Sequence, residues 1–297
     1  MAIIGAAEFE QLLAEVRRVL AERSISAGPD TELHYLMDEV RKYVARTGDL
    51  ASSATDAGTD ERAVTVGYPL LCFWHLADAI ACLHASSVPT VQQALETVSS
   101  RRHGDADQEE QFYDAAYELT SANDFLRCGI RPSFIHTKQC SRYQKRVEYL
   151  LMHKWPVECK RPRSLDNIVG RAKDAREKID ERKTRGLVCI SLSHAFSDRA
   201  TFREYQSVHH LQCCASEQLN TYLAGSREQL LAAGTSKYSI GVVFHLELLG
   251  YLHDTERVSG PLLRCAITAE GRVLSQDVLR VLRQMLRDPE AEHPHGN

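Results

Sequence analysis

The amino-acid sequence predicts an α/β fold of the α+β kind: an α-β-β-β-α-β core preceded by an all-helical region. Three observations carry that expectation. Up to residue 104, apolar residues recur at helical spacing. Beyond it, short apolar runs bounded by turn residues alternate with charged helical stretches, the pattern of strands covered by helices. The 297 residues, 43% hydrophobic and 26% charged, supply enough apolar material for a sizeable core.

Taken in order, Phe9, Leu12, Leu13, Val16, Val19 and Leu20 mark a helix over 8–22, and Leu33, Leu36, Met37, Val40 and Val44 mark a second over 31–46. The stretch 47–60, rich in Gly, Ala, Ser, Thr and Asp, predicts a loop. Helices over 66–85 and 89–100 follow, and 99–105 forms a linker. Residues 1–104 are thus expected to be a helical N-terminal region for sensing, partner binding or dimerisation. A helix over 109–128 should stop at Gly129, where glycine suits a C-cap. Strands are expected at 133–135, 146–152 and 156–161, then a charged helix over 164–183 and a strand over 186–193. Helices at 199–224 and 226–233, strands at 239–251 and 262–268, and a helix at 275–286 complete a second unit, 105–287, followed by a flexible tail, 288–297.

The nine cysteines are odd in number, scattered, and contain no C-x-x-C. They are expected to be reduced thiols packed as small hydrophobes, which points to the cytoplasm. The N-terminus has no basic segment followed by a long apolar one, so no secretory signal is expected. The most apolar stretch, 68–85, contains His75, Asp78 and His84 and suits a buried helix better than a membrane span. The net charge of −4 selects no partner by itself. Its distribution is more informative. Residues 131–185 hold sixteen Lys/Arg against seven Asp/Glu, a local +9 around a pair of carboxylates. Positive charge to hold a polyanion and carboxylates to hold a metal are what phosphodiester chemistry needs. The competing reading for 171–185 is a solvated charged helix.

Those carboxylates are Glu148 and Glu158. In a strand, residues i and i+2 share a face, so Glu158 and Lys160 come together while Val157 and Cys159 point to the apolar side. A turn near His153 and Lys154 would pair the two strands as a hairpin and bring Glu148 beside Glu158. Two adjacent carboxylates need a counter-charge, and oxygen donors suit Mg²⁺, with Mn²⁺ as a substitute. Lys160 would orient or deprotonate water, or stabilise charge growing on a phosphate. The backbone carbonyl of Cys159 is a further candidate metal ligand. An isolated E-x-K tripeptide is more often an exposed strand ion pair, and only its context gives this one weight.

In that context Val157-Glu158-Cys159-Lys160-Arg161-Pro162 resembles the signature segment of the PD-(D/E)xK, or restriction-endonuclease-like, nuclease superfamily. The segment 146–150 resembles that family's second strand with its first acid, and 112–129 its first core helix. The resemblance covers about 109–195 and implies a metal-dependent endonuclease acting on nucleic acid, DNA favoured over RNA. It implies that Glu118 faces the site from the helix, that Glu148 and Glu158 bind metal, and that Lys160 serves the water. Lys178 falls where related nucleases carry a site-facing Gln or Lys, with Lys173 the competing choice. Arg161 and Arg163 would hold phosphates without reading sequence. The first acid departs from the family's usual Asp, and no Pro precedes it. A homodimer and a role in defence against foreign nucleic acid are expectations by analogy. The alternative class is a catalytically inactive nuclease-fold binding or scaffold protein.

One other constellation competes. His209 and His210 pair with Cys213 and Cys214 at i, i+4 on a predicted helix, a spacing that would seed a zinc site. No second ligand pair lies at a familiar spacing, so packed Cys and partly exposed His are expected instead. Cys72 and His75 are expected to be core packing, and Ser193 and His194 lie at the end of the last core strand, either near a substrate or in a loop.

Overall fold

The computed structural model describes residues 6–50, 60–135, 148–196, 203–247, 250–253, 257–259, 262–268 and 273–274. Four helices open the chain: α1 (Ala6–Glu22), α2 (Glu32–Leu50), α3 (Asp60–Ala85) and α4 (Gln92–Ser100). Each turns its periodic apolar residues inward. Val16, Val19, Leu33, Leu36, Phe73, Leu83 and Val98 are all fully buried. The apolar stretch around 68–85 is a core helix, as expected, and no helix among the described residues is long and apolar enough to cross a membrane.

Helix α5 (Ala106–Arg127) starts where the Asp105 carboxylate accepts a hydrogen bond from the Gln108 backbone N–H at 3.2 Å, a side-chain N-cap. It ends at Gly129, which sits at φ +74° as a glycine C-cap requires. Then come β1 (Pro132–Phe134), β2 (Tyr149–Leu151), β3 (Trp155–Lys160), α6 (Ile168–Arg182) and β4 (Gly186–Ser191). The chain continues through a single turn α7 (Ser193–Phe196), β5 (Arg203–Tyr205), α8 (Val208–Gly234), β6 (Ser239–Glu247), β7 (Gly250–Leu252), β8 (Arg257–Ser259), β9 (Leu262–Thr268) and β10 (Val273–Leu274).

The main sheet has seven strands in the order β1-β2-β3-β4-β6-β9-β10. β1, β2 and β3 form an antiparallel meander; β3, β4 and β6 run parallel; β9 and β10 return antiparallel. The parallel pairing of β3 with β4 requires a crossover, which α6 supplies. A separate small sheet holds β5-β7-β8. The expected mixed helix-and-strand class is therefore observed.

The period of two along the central strands divides the interior. Val157, Cys159, Leu187, Cys189 and Val243 face α5 and the N-terminal helices. Val188, Ile190, Val242 and Phe244 face α6 and α8. Residues of α1 to α4 lie in the same hydrophobic cluster as α5 and β1–β3. The sequence boundary near residue 104 thus separates two stretches that share one core. At the head of β4, a Cβ on Gly186 would stand 2.4 Å from the Pro156 carbonyl oxygen, so only glycine lets β4 approach β3 there.

The β2–β3 hairpin turns through Met152 and His153, at φ +53° and +60°, and the Lys154 N–H donates to the Leu151 carbonyl at 3.0 Å. Two successive positive φ values are the signature of a type I′ turn, a place for Asn and Gly rather than Met and His. His153→Gly should raise stability by about 0.5–1 kcal/mol by removing the left-handed strain of a side chain. Urea unfolding of the two proteins measures it.

Several expectations are corrected. α2 continues to Leu50, into the predicted loop, and α3 begins at Asp60. The predicted helix over 199–224 is shorter at its start, because 203–205 joins the small sheet through β7 and the Ser207 hydroxyl caps α8 by accepting from the His210 N–H at 3.2 Å. α8 then runs without a break through Gly225, since Leu219, Leu223 and Leu230 form one buried stripe across that position. The predicted strand over 239–251 splits between the two sheets. β4 stops at Ser191 rather than at 193, where a helical turn begins. The predicted helix at 275–286 and tail at 288–297 lie outside the described residues, as does 136–147.

Candidate active site

A cleft opens beside the carboxyl end of β3, lined by α5 residues Glu110, Asp114, Tyr117 and Glu118, by Glu148, and by Cys159, Lys160 and Arg161 of β3 and its exit. Three features of the chain place these side chains. Alternation along β3 sends Glu158 and Lys160 to one side of the strand. The hairpin register pairs Tyr149 with Val157, and Glu148, one residue earlier, donates its N–H to the Val157 carbonyl at 3.1 Å, which leaves its carboxylate near enough to Glu158 to be repelled by it. On α5, Glu110, Asp114 and Glu118 are spaced by four and form an acidic stripe on one face.

Glu158 is fully buried. One oxygen, Oε1, accepts from the Lys160 ammonium at 2.5 Å and from the Lys178 ammonium of α6. The other, Oε2, is buried and without a hydrogen-bond partner among the described residues. A buried carboxylate oxygen with no donor costs about 1–3 kcal/mol or more, so it invites a cation or a proton donor. Lys178 thereby wins over Lys173, which points outward and pairs with Glu177 at 4.0 Å. Burial pulls the Lys160 ammonium down, but Glu158 beside it more than compensates and holds its pKa above the ordinary lysine value.

Glu118 and Glu148 share a hydrogen bond. Burial, then repulsion from Glu148, raises the Glu118 carboxyl well above the usual glutamate range. Burial, then repulsion from Glu158, also raises Glu148, with Lys178 and Lys160 opposing. Glu118 and Glu148 thus line the cleft with raised carboxyls, and Glu158 is buried close enough to repel both. Closely placed carboxylates cannot all ionise without a counter-charge.

Arg161 stacks over the Tyr113 ring, its guanidinium carbon 5.2 Å from the centroid, and donates from Nε to Asp114 Oδ1 at 3.3 Å. Its side chain is only 7% exposed, and Nη1 has no partner among the described residues. Arg163 lies outside the cleft lining and pairs with Glu110 at 2.5 Å. Cys159 directs its thiol inward, 3.8 Å from the Ser121 hydroxyl, so its side chain belongs to the core as expected. Of the basic residues of this stretch, Lys160 and Lys178 pair with Glu158, Arg161 with Asp114 and Arg163 with Glu110.

The oxygen donor set fits a hard divalent cation such as Mg²⁺. The unpartnered Glu158 oxygen is the observation that fits, and the Glu118 and Glu148 carboxyls beside it are raised by burial and mutual repulsion. The one trio of His, Cys, Asp or Glu among the described residues whose ligand atoms all come within 4.8 Å of one another lies elsewhere: Glu32, His103 and Glu109. There a His103–Glu32 contact of 2.6 Å and a Tyr113–Glu32 hydrogen bond of 2.7 Å account for the grouping without an ion.

Asp114, Tyr117 and Glu110 were not singled out by the sequence; the four-residue acidic spacing along α5 was the available signal. Of the competing zinc candidates, His209 and Cys213 lie 3.5 Å apart on the exposed face of α8, while Cys214 packs toward the core and His210 turns its ring edge to Tyr205. The two pairs do not converge. No disulfide occurs among the described residues, in keeping with the expected thiols. His75 does more than pack: it forms an ion pair with Glu247 at the end of β6.

No family model matches the sequence. No curated protein and no solved structure matches it either.

Proposed function

We propose that this chain is a metal-dependent nuclease of the PD-(D/E)xK type, hydrolysing phosphodiester bonds, with DNA favoured over RNA. The observation that carries the reading is Glu158: fully buried, held on one oxygen by Lys160 and Lys178, unpartnered on the other, and close enough to Glu148 to repel it. The order α5-β1-β2-β3-α6-β4, with α6 crossing between parallel β3 and β4, supports it.

Glu158 and Glu148 would hold Mg²⁺, with Glu118 completing the carboxylate set. The bound cation supplies a Lewis acid for the phosphate and a more acidic water. Glu118 and Glu148, whose carboxyls are raised without a counter-charge, would have to be ionised to hold the cation. Lys160 keeps its charge at neutral pH, so it orients water and stabilises the phosphorane's negative oxygens rather than abstracting a proton. Lys178 fixes the rotamer of Glu158, and Arg161 offers Nη1 to a phosphate oxygen.

Incubation with plasmid, single-stranded DNA and RNA, in Mg²⁺, Mn²⁺ or EDTA, tests this. Metal-dependent cutting that disappears in Glu158→Gln and Lys160→Ala is expected. Cutting that persists equally in both variants points to a contaminant. Metal binding without cutting by the wild type favours the inactive scaffold.

The pH dependence follows from the raised carboxyls. Glu118 and Glu148 bind protons in the folded protein that the unfolded chain has already released. Metal-free stability therefore falls as pH rises above the ordinary glutamate value. A cation replacing the proton restores it, by about 2.7 kcal/mol at about 100-fold excess over Kd. The Mg²⁺-induced rise in Tm should be larger at about pH 8 than at about pH 5, where protons compete. Equal rises at both pH values would remove these carboxylates from the metal site.

A further inference from the structure

A second set of cations gathers at the end of the sheet opposite the carboxylate cleft, and strand register fixes the place. The Met152 N–H donates to the Arg131 carbonyl, so the residue before β1 abuts the β2–β3 turn that carries Lys154. Val157 pairs with Leu187, which sets Arg185 level with Trp155. The Gly186 N–H donates to the Tyr238 carbonyl, so Lys237 precedes β6 at the same end. Arg182 and Lys183 close α6 just before Arg185. β3 runs from Trp155 to Lys160, so about 17 Å of strand separates this end from the cleft. Four strand spacings from β1 to β6 spread the cations over about 19 Å. Arg131, Lys154, Lys183 and Lys237 are exposed, and Arg182 and Arg185 are half-buried. Among the described residues, Arg131, Arg182, Lys183, Arg185 and Lys237 have no carboxylate within 4.0 Å. Arg185 Nε and Nη1 and Arg182 Nε are buried without an acceptor there. Asp180, in the last turn of α6, is held by the Ser236 hydroxyl and Arg176. At the cleft, in contrast, Lys160, Lys178, Arg161 and Arg163 are each paired with an acid. The C-terminal dipole of α6 stabilises Arg182 and Lys183, but it fades within a turn and does not reach Arg131, Lys154 or Lys237.

We propose that this face docks the phosphate backbone of a nucleic-acid duplex, at a place separate from the carboxylate cleft. A row of cations without carboxylate partners supplies what backbone contact needs, and such contacts position a duplex without reading its sequence. Guanidinium N–H groups that lack an acceptor favour phosphate oxygens. Single strands are held largely by stacking, for which this end offers little. Trp155 is buried with Lys154 over its ring, and Lys237 covers the Tyr238 ring at 4.8 Å. An anionic membrane is the other polyanion of this size. Binding to it also takes an inserted apolar face, and Met152 is the one exposed large apolar side chain of this end among the described residues. The inference rests on the nuclease reading only for the purpose of docking, which is to keep long substrates beside the cleft.

The test is fluorescence anisotropy of the full chain, in EDTA, with labelled duplexes of two unrelated sequences over a range of NaCl concentrations. Replacing Lys154, Lys183, Arg185 and Lys237 together by Gln should weaken binding to both duplexes at least about tenfold at low salt. It should also make the log–log salt dependence shallower by about 3–4, at about 0.9 per lost phosphate contact. If replacing the half-buried Arg185 disturbs folding, the Lys154, Lys183 and Lys237 triple variant serves, with a change of about 2–3. Replacing Arg17, Arg18, Lys42 and Arg102 by Gln removes the same charge from the exposed surface of the N-terminal region and should leave binding unchanged. Failure of the wild type to bind either duplex, or equal weakening in the two quadruple variants, overturns the proposal. Binding to phosphatidylserine vesicles but not to duplex overturns it too, and assigns the face to a membrane. Salt-dependent duplex binding without any cleavage in Mg²⁺ would leave this face standing and remove the nuclease reading. Metal-dependent cleavage with duplex binding unchanged in the first quadruple variant would do the reverse.

Discussion

Glu158→Ala is expected to cost the metal-free fold about 3–5 kcal/mol, the scale for removing one partner of a buried ion pair. The reason is local. Glu158 has no exposed surface, and its Oε1 receives both the Lys160 and the Lys178 ammonium. Alanine would leave two cations beside each other at a site where only 16% and 30% of their side chains are exposed, with a void where the carboxylate was. Glu158→Gln keeps the shape and an acceptor oxygen, so it should cost clearly less. Replacing Glu158, Lys160 and Lys178 together by apolar residues of similar volume should recover most of the loss, because the penalty comes from uncompensated charge. Urea unfolding of the three proteins, with equal m-values, measures the order. Equal stability of Glu158→Ala and wild type would mean that the carboxylate is solvated rather than buried.

Lys160→Ala is expected to lower metal-dependent cleavage by about 10²–10³-fold, the scale for losing one preorganised charge at a developing oxyanion. Stability should change less than in Glu158→Ala, since Lys178 still satisfies Glu158. Lys178→Ala removes a side chain that acts through Glu158, so its effect should fall more on the apparent affinity for Mg²⁺ than on the rate at saturating metal. The Mg²⁺ dependence of the rate in the two variants distinguishes the roles. If both lose only rate, Lys178 touches the reacting group as directly as Lys160.

Much of the architecture was legible in the linear sequence because its causes are local. Helical periodicity placed α1 to α6, Gly129 placed the end of α5, and alternation across residues 157–160 put Glu158 with Lys160 and Cys159 with the core. The misplaced elements have non-local causes. Residues 203–205 are a strand only because β7 pairs with them, and α8 ignores Gly225 because a buried stripe holds it on both sides.

For the candidate site, the residue types and their spacing came from the sequence alone: a strand offering an acid and a lysine two apart, a second acid ten residues earlier, and an acidic helix ahead. Tertiary structure decided how those groups are used. The β2–β3 hairpin brought Glu148 near Glu158, and packing of α6 chose Lys178 over Lys173. Burial left one oxygen of Glu158 without a partner and raised the Glu118 and Glu148 carboxyls. Side-chain direction within one element follows from backbone geometry, which a few neighbouring residues set. Desolvation and pairing between elements depend on which chain segments meet, and no single segment encodes that.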